Sequence, residues 1–105
     1  MSTHTWMNER GSARAVESPD SSLYYGEMKD GRRHGHGLVL YKNGGNYEGY
    51  WKNGRKHGEG TRLYRNGDVY VGGFRKGARY GSGQYCMGGD VTYYNFMWKN
   101  NKIVR

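Results

Sequence analysis

The segment Tyr47–Val69 reads YEGYWKNGRKHGEGTRLYRNGDV, and it recurs on both sides of itself at a spacing of 23 residues. The preceding copy is Tyr24–Asn46, YYGEMKDGRRHGHGLVLYKNGGN, and the following copy is Tyr70–Thr92, YVGGFRKGARYGSGQYCMGGDVT. A fixed period of this length is typical of repeat architectures, in which each unit buries its apolar face only against its neighbours. The sequence therefore predicts a stacked array of short units.

The first half of each unit has the pattern of a β-strand. Its first, third and fifth positions, which are Tyr47, Gly49 and Trp51 in the central unit, alternate with polar or variable residues, so they are expected to share one face. A glycine between two aromatic residues lets a ring lie across the bare backbone. The residues predicted to build the sheet are Tyr24, Tyr47, Gly49, Trp51, Gly58, Gly60, Tyr70 and Phe74.

The second half of each unit is predicted to be a return strand. Asn53-Gly54 is a strong hairpin signal, and Asn66-Gly67 marks the turn into the next unit. Paired glycines such as Gly58 and Gly60 weaken a strand unless the space is needed, so they indicate local bending and the close approach of an aromatic side chain. The predicted fold class is all-β: an elongated, single-layer antiparallel meander of stacked β-hairpins.

The predicted boundaries are a disordered polar tail at 1–23, full units at 24–46, 47–69 and 70–92, and a degenerate unit at 93–105. In the last unit Tyr93 keeps the 23-residue step, but Trp98 aligns with Trp51 only if one residue is inserted, and the return strand is missing. Consecutive apolar residues would place side chains on both faces of this unit. Phe96, Met97 and Trp98 are therefore predicted to form a cap that pairs with a second chain, with a homodimer as one outcome.

The composition points to an aromatic, basic protein. Leu, Ile, Val and Phe together make up about an eighth of the 105 residues, whereas there are 11 Tyr, 3 Trp and 19 Gly. The net charge is +8, and residues 24–105 carry 15 basic against 6 acidic side chains. A positive field of this kind favours polyanions or acidic protein surfaces as partners.

The basic residues recur in columns near the hairpin turns, and they are predicted to form one positive edge of the sheet. The candidate binding residues are Lys29, Arg32, Arg33, Lys52, Arg55, Lys56, Arg75 and Arg79. Simple solvation is one interpretation, an acidic protein partner is another, and anionic lipid headgroups are a third. Single-stranded nucleic acid is less favoured, because the tyrosine columns are needed to hold the sheet together.

The sequence offers no arrangement for catalysis, so no enzyme activity, cofactor or metal is predicted. His34 and His57 would lie about 10 Å apart, too far to share one ion. The single cysteine, Cys86, occupies an apolar column and fits a reducing compartment. No apolar run is long enough for a membrane span or a signal peptide, so we expect a cytoplasmic location.

The units resemble the MORN (membrane occupation and recognition nexus) repeat. In the central unit the resemblance is carried by Tyr47, Gly49, Trp51, Asn53, Gly54, His57, Gly58, Gly60, Tyr64 and Gly67. In the first it is carried by Tyr24, Gly26, Gly31, His34, Gly35, Gly37, Tyr41 and Gly44, with Met28 where the family favours Trp. In the third it is carried by Tyr70, Gly72, Phe74, Gly77, Gly81 and Gly83, with departures at Tyr80 and from Met87 to Asp90.

The resemblance covers residues 24 to about 102, and it implies one hairpin per repeat in a single-layer sheet. It also implies an accessory or scaffolding role, through a protein partner, dimerisation or anionic phospholipids such as phosphoinositides. MORN repeats occur beside phosphoinositide kinase and methyltransferase domains, and in junctional membrane, cytoskeletal and ciliary spoke proteins. An association with the cytoskeleton, a cilium or a membrane is therefore expected.

Overall fold

The computed structural model describes residues 15–17 and 22–104, which form one antiparallel sheet of nine strands ordered as in the chain. The strands are β1 Ala15–Glu17, β2 Leu23–Lys29, β3 Arg32–Leu40, β4 Asn46–Lys52, β5 Arg55–Leu63, β6 Val69–Arg75, β7 Ala78–Cys86, β8 Tyr94–Lys99 and β9 Lys102–Ile103. The described part contains no helix. The all-β meander that the sequence predicts is confirmed, and its extents of 42 × 28 × 25 Å are those of an elongated array.

Each hairpin closes through a two-residue turn in which both central residues have positive φ. In the central unit these are Asn53 at φ 51° and Gly54 at φ 83°. Two positive φ values match a type I′ turn, whose twist agrees with that of the flanking strands. The predicted turn at Asn53-Gly54 is therefore confirmed. The corresponding first residues elsewhere are Asp30, Lys76 and Asn100.

A row of glycines crosses the sheet from β2 to β7. Gly49 pairs with Gly37 on one side and with Gly60 on the other. A Cβ atom at Gly49 would lie 2.5 Å from the Cα of Gly60, so the two backbones approach too closely for a side chain. The whole row is Gly26, Gly37, Gly49, Gly60, Gly72 and Gly83.

Each return strand bulges next to this row. The pairing of β4 with β5 shifts register between Gly49 and Trp51, and Gly58, with φ 86°, lies on the bulged side. Positive φ at this point favours glycine, and bulges of this kind bend the strand. The bending that the sequence predicts at Gly58 and Gly60 is confirmed.

The space left by the glycines is filled by tyrosine rings, which form the core with their neighbours. The Tyr47 ring lies over Gly60, where an added Cβ would lie 2.4 Å from the Cε1 atom of the ring. The same ring meets Trp51 at 5.1 Å and Phe74 at 5.0 Å between centroids, both edge to face. Such contacts continue along the sheet as a chain in the order Tyr24, Trp51, Tyr47, Phe74, Tyr70, Trp98. We call this surface the aromatic face.

Two predicted boundaries need correction. Within the segment predicted as a disordered tail, Ala15–Glu17 forms β1 and pairs with β2, which already begins at Leu23. The rest of that segment, residues 1–14 and 18–21, lies outside the described residues. Backbone hydrogen bonds to β2 order these three residues, and their sequence has no side-chain periodicity that would predict a strand.

The last unit is shifted by one residue relative to the 23-residue step. Tyr94 faces Tyr85 across β7 and β8 as Tyr70 faces Arg62, so Tyr94, and not Tyr93, takes the tyrosine position. The predicted one-residue insertion therefore lies in the loop before β8. The return strand is not absent as predicted, because β9 pairs its two residues with Trp98 and Lys99.

Candidate binding surfaces

Three of the eight predicted basic residues lie on the aromatic face. Arg33, Lys56 and Arg79 occupy equivalent positions 23 residues apart, and each is half-buried over aromatic rings. We call them the cation column. The other five, Lys29, Arg32, Lys52, Arg55 and Arg75, are exposed. The eight residues therefore lie on two surfaces and do not form the single positive edge that was predicted. Three form the cation column, and the other five lie exposed near the hairpin turns.

Each member of the cation column bridges two repeats. The Nζ of Lys56 lies 5.5 Å from the ring centroid of Tyr47 in its own unit and 5.5 Å from that of Phe74 in the next. The guanidinium of Arg79 lies 4.5 Å from the Trp98 ring. A cation over an aromatic face is attracted by the ring quadrupole, and this attraction offsets part of the cost of burying a positive charge between two units.

Burial and like charge act on Lys56. Desolvation, followed by the nearby charges of Arg62, Arg33 and Arg79, lowers the pKa of Lys56 to about 8 from its ordinary 10.5. Among residues 15–17 and 22–104, no carboxylate forms an ion pair with Lys56, Arg62 or Arg79; an ion-pair contact in this part of the chain joins His36 and Glu48 at 4.0 Å. Lys56 and Arg79 therefore keep a concentration of positive charge that no carboxylate of the described residues neutralises by an ion pair.

A second surface is a cleft of about 400 Å³ at the hairpin turns. We call it the turn cleft, and its lining residues are Arg32, Lys52, Asn53, Arg55, His57 and Lys76. They come from three successive units, and none is acidic. The cleft therefore gathers four permanent positive charges around one concave site, which raises the local concentration of anions.

Three of these lining residues, Asn53, His57 and Lys76, were not among the sequence-predicted binding residues. Lys76 stands at φ 50° in a turn position that the other hairpins fill with Asp30, Asn53 or Asn100. Asn and Asp tolerate that conformation better than Lys does. A lysine in place of the usual turn residue was the signal in the sequence that could have revealed the cleft.

The third surface is the outer edge of β8, which we call the C-terminal edge and define as Tyr94–Met97. Beyond β8, pairing among the described residues involves only Trp98 and Lys99 with β9, and an added bond from the Val104 N–H to the Met97 carbonyl at 2.8 Å. Earlier units present a nine-residue return strand at this position. The edge therefore keeps backbone groups available for another strand.

Apolar side chains project from both sides of the C-terminal edge. Tyr94 is 53% exposed, Met97 is 56% exposed and Phe96 is 36% exposed, while Trp98 is buried at 6%. Phe96 pairs with Gly83 and so interrupts the glycine row. The predicted cap residues are thus brought together at the end of the array, with Trp98 in the core and the other two facing outward.

A fourth surface is a second cleft, of about 480 Å³, between the loops at the opposite end of the hairpins. Tyr64 and Tyr85 stack there at 6.0 Å, and the guanidinium of Arg62 lies 4.6 Å from the Tyr64 ring. The Tyr85 hydroxyl donates a 2.7 Å hydrogen bond to Asp68. That bond, together with one from the Gly88 N–H, lowers the pKa of Asp68. Hydrogen bonds within the chain therefore stabilise this end of the hairpins.

Three expectations from the sequence, on base stacking, metal binding and membrane spans, can be compared directly with the structure. Tyr24, Tyr47 and Tyr70 are buried, so their rings are not available to stack on bases. In the part of the chain that the structure describes, no group of three His, Cys, Asp or Glu side chains is placed to hold a metal ion. None of the described residues belongs to a helix with the length and apolar character to cross a bilayer.

The unit that recurs in space is the hairpin with its glycine pair, its bulge and its tyrosine over the return strand, and it has the same register in β2–β3, β4–β5 and β6–β7. The family model described as MORN repeat matches residues 24–46 and 47–69. Residues 24–69 are two consecutive MORN repeats. No curated protein matches the sequence closely enough to stand as a relative.

The MORN match ends before residue 70, whereas the MORN geometry continues. In the third unit Phe74 pairs with Arg79 as Trp51 pairs with Lys56. MORN repeats are generally non-catalytic and mediate binding, so this chain carries a repeat module of the binding or adaptor kind. MORN proteins are often associated with membranes or the cytoskeleton.

Proposed function

We propose that this protein is a non-catalytic MORN scaffold that pairs through its C-terminal edge, with a second copy of itself as the partner. The observation that carries the proposal is the outer side of β8, where the backbone of Tyr94–Phe96 has no described strand beyond it and Tyr94, Phe96 and Met97 expose apolar side chains. Antiparallel addition of a second β8 would pair those groups and bury Phe96 and Met97. A two-fold axis through such a pair makes the same patch serve both chains.

The edge is a better candidate than the rest of the sheet because it combines the two features that drive strand addition. Backbone hydrogen bonds supply affinity, and alternate side chains supply specificity. Long, apolar edges are blunted in proteins that stay monomeric, usually by charge or proline. Between Tyr94 and Met97 there is neither.

Light scattering coupled to size exclusion tests the proposal with single charged substitutions at exposed positions. Met97→Glu should convert the dimer into a monomer, because its carboxylate would be buried in the pair without a partner. Val91→Glu is the matched control, since Val91 is 91% exposed in the loop before β8 and outside the edge. A parent protein that stays monomeric at high concentration, or a dimer that survives Met97→Glu, contradicts the proposal.

A second candidate is the peripheral binding of anionic headgroups by the turn cleft. Arg32, Lys52, Arg55 and Lys76 line one concave surface with no acidic residue among the lining. Basic side chains near an anionic surface contribute about 1 kcal/mol each, and the attraction is screened by salt. Phosphoinositide headgroups, with several phosphate charges, suit a cleft of this size.

Cosedimentation with vesicles containing a phosphoinositide tests this candidate. Lys52→Glu should abolish binding at low salt, whereas Lys42→Glu, the same exchange on an exposed loop at the far end of the hairpins, should not. Equal effects of the two variants would indicate attraction to net charge rather than a cleft. Binding that is absent at low salt would remove the candidate.

A further inference from the structure

The cation column on the aromatic face has a spacing that matches a helix. Successive members are separated by two strand spacings, about 10 Å. Seven residues of an α-helix advance by about 10.5 Å, so side chains at every seventh position of a helix keep step with the column. This surface is distinct from the C-terminal edge and from the turn cleft.

The charge on this surface determines the sign of the charge that a partner must carry. Lys56 lies close enough to Arg62, Arg33 and Arg79 for their charges to act on it, and the described part of the chain supplies no ion-paired carboxylate to Lys56, Arg62 or Arg79. The Nε–H of Arg79 is buried without an acceptor. A carboxylate brought to Lys56 would relieve the repulsion among these cations.

The residues and strands around the cation column determine which secondary structure a partner can have. Half-buried Tyr41, Tyr64 and Tyr85 pack beside the core and offer apolar contact next to the charges. The strands under this face are already paired on both sides, so an extended peptide laid across them would keep unpaired backbone groups. A helix satisfies its backbone internally and presents only side chains.

We infer that the aromatic face docks an acidic α-helix of a partner protein, with carboxylates at heptad spacing that meet Lys56 and Arg79 and with apolar residues between them. Arg33 extends the same column by one step toward the first unit. The inference rests on the proposed adaptor role, and it names the chemistry of a partner other than a second copy of this chain.

Fluorescence anisotropy with synthetic helical peptides tests the inference on the full chain. The first peptide carries Glu at every seventh position of an Ala/Leu/Gln helix, the second carries Gln instead, and the third carries the same number of Glu at every fifth position, about 7.5 Å apart. The heptad Glu peptide should bind at least about tenfold more tightly than either of the others, because only its charges pair with the column.

Variants of the protein locate the site. Lys56→Met should weaken the heptad Glu peptide by at least about tenfold, whereas Lys52→Met, the same exchange on an exposed lysine outside the column, should change its affinity by less than about twofold. Lys56→Arg should bind like the parent. Circular dichroism confirms that each variant is folded before its affinity is compared.

Several outcomes would overturn the inference. Equal binding of the heptad and five-residue peptides, or an equal loss in Lys52→Met and Lys56→Met, would mean that only net charge is sensed. Displacement of the peptide by phosphatidylserine vesicles whose own binding needs Lys56 would assign the face to lipid. Met97→Glu should leave peptide affinity unchanged, so a failure of the proposed dimer can be told apart from a failure of this site.

Discussion

The hydroxyl of Tyr47 donates a 2.9 Å hydrogen bond to the carbonyl oxygen of Tyr50, three residues along the same strand. Tyr50 lies where the β4–β5 pairing shifts register, so its carbonyl is left out of the ladder on that side. The tyrosine ring thus fills the space over Gly60 while its hydroxyl satisfies the bulge. Tyr24 with Glu27 and Tyr70 with Gly73 repeat the arrangement.

Removal of this hydroxyl should destabilise the sheet without creating a cavity. Tyr47→Phe is expected to lower the free energy of unfolding by about 1–3 kcal/mol, because a buried carbonyl loses its donor. Tyr50→Phe is the matched control, since Tyr50 is exposed, and it should change stability by less than about 0.5 kcal/mol. Urea titrations of both variants measure the difference, and equal effects would mean that the bulge carbonyl does not need the tyrosine.

The glycine row should not accept even a methyl group. Gly60→Ala is expected to cost about 1–3 kcal/mol or to prevent folding, because its Cβ would overlap the Tyr47 ring. Thr61→Ala changes an exposed neighbour in the same strand and should cost less than about 1 kcal/mol. Thermal melts followed by circular dichroism compare the two. A Gly60→Ala protein as stable as the parent would show that the ring moves aside freely.

The fifth position of the repeat should matter only where a neighbouring unit covers it. Trp51→Ala is expected to cost about 3–5 kcal/mol, since its ring packs on Tyr24 and Tyr47 and its Nε1–H donates to the Gly37 carbonyl at 3.1 Å. Met28→Ala in the first unit should cost less than about 1 kcal/mol, because Met28 is 44% exposed. Chemical denaturation measures both, and similar losses would contradict the assigned core.

Stability should rise with pH between about 8 and 10 because of Lys56, whose pKa is lowered to about 8 in the folded state. In that interval the unfolded chain keeps a proton on this lysine that the folded chain has released, so the free energy of unfolding increases with pH. Above pH 10 the buried tyrosines oppose the gain: burial raises the pKa of Tyr24 and Tyr70 to about 12, and the folded state holds protons that the unfolded state loses.

Lys56→Met isolates this contribution. The variant is expected to be more stable than the parent at pH 7, by about 1–2 kcal/mol after solvent screening is allowed for, and to show no rise between pH 8 and 10. Lys52→Met, on an exposed lysine, should keep the rise. Melting temperatures of the parent and both variants, measured across the pH range, test this prediction. A parent profile that is flat from pH 8 to 10 would rule out a destabilising charge at Lys56.

Much of the fold could be read from spacing alone. The alternation of Tyr47, Gly49 and Trp51 predicted their common face, and Asn53-Gly54 predicted the type of turn, because both features depend on local backbone geometry. The end of the array was less predictable. Tyr93 keeps the 23-residue step, but the loop before β8 absorbs one extra residue and Tyr94 takes the structural position.

The candidate sites were predictable in part. Basic residues near the turns could be listed from their columns, but a column does not say whether a long side chain points into solvent or lies across a ring. Arg79 reaches Trp98 of the following unit, 19 residues further along the chain. Its role depends on the stacking of units, which is a long-range contact that no local pattern contains.

By itself, the sequence determined the repeat, the strands, the turns and the places where only glycine fits, since each follows from φ, from side-chain alternation and from steric exclusion within a hairpin. Only the tertiary structure decided which cations lie over the aromatic rings and which line the turn cleft. It also decided that, among the described residues, β9 pairs with only the last two residues of β8 and leaves the first part of that edge without a partner strand. These are properties of how one hairpin sits on the next, and they depend on distances between residues that are far apart in the chain.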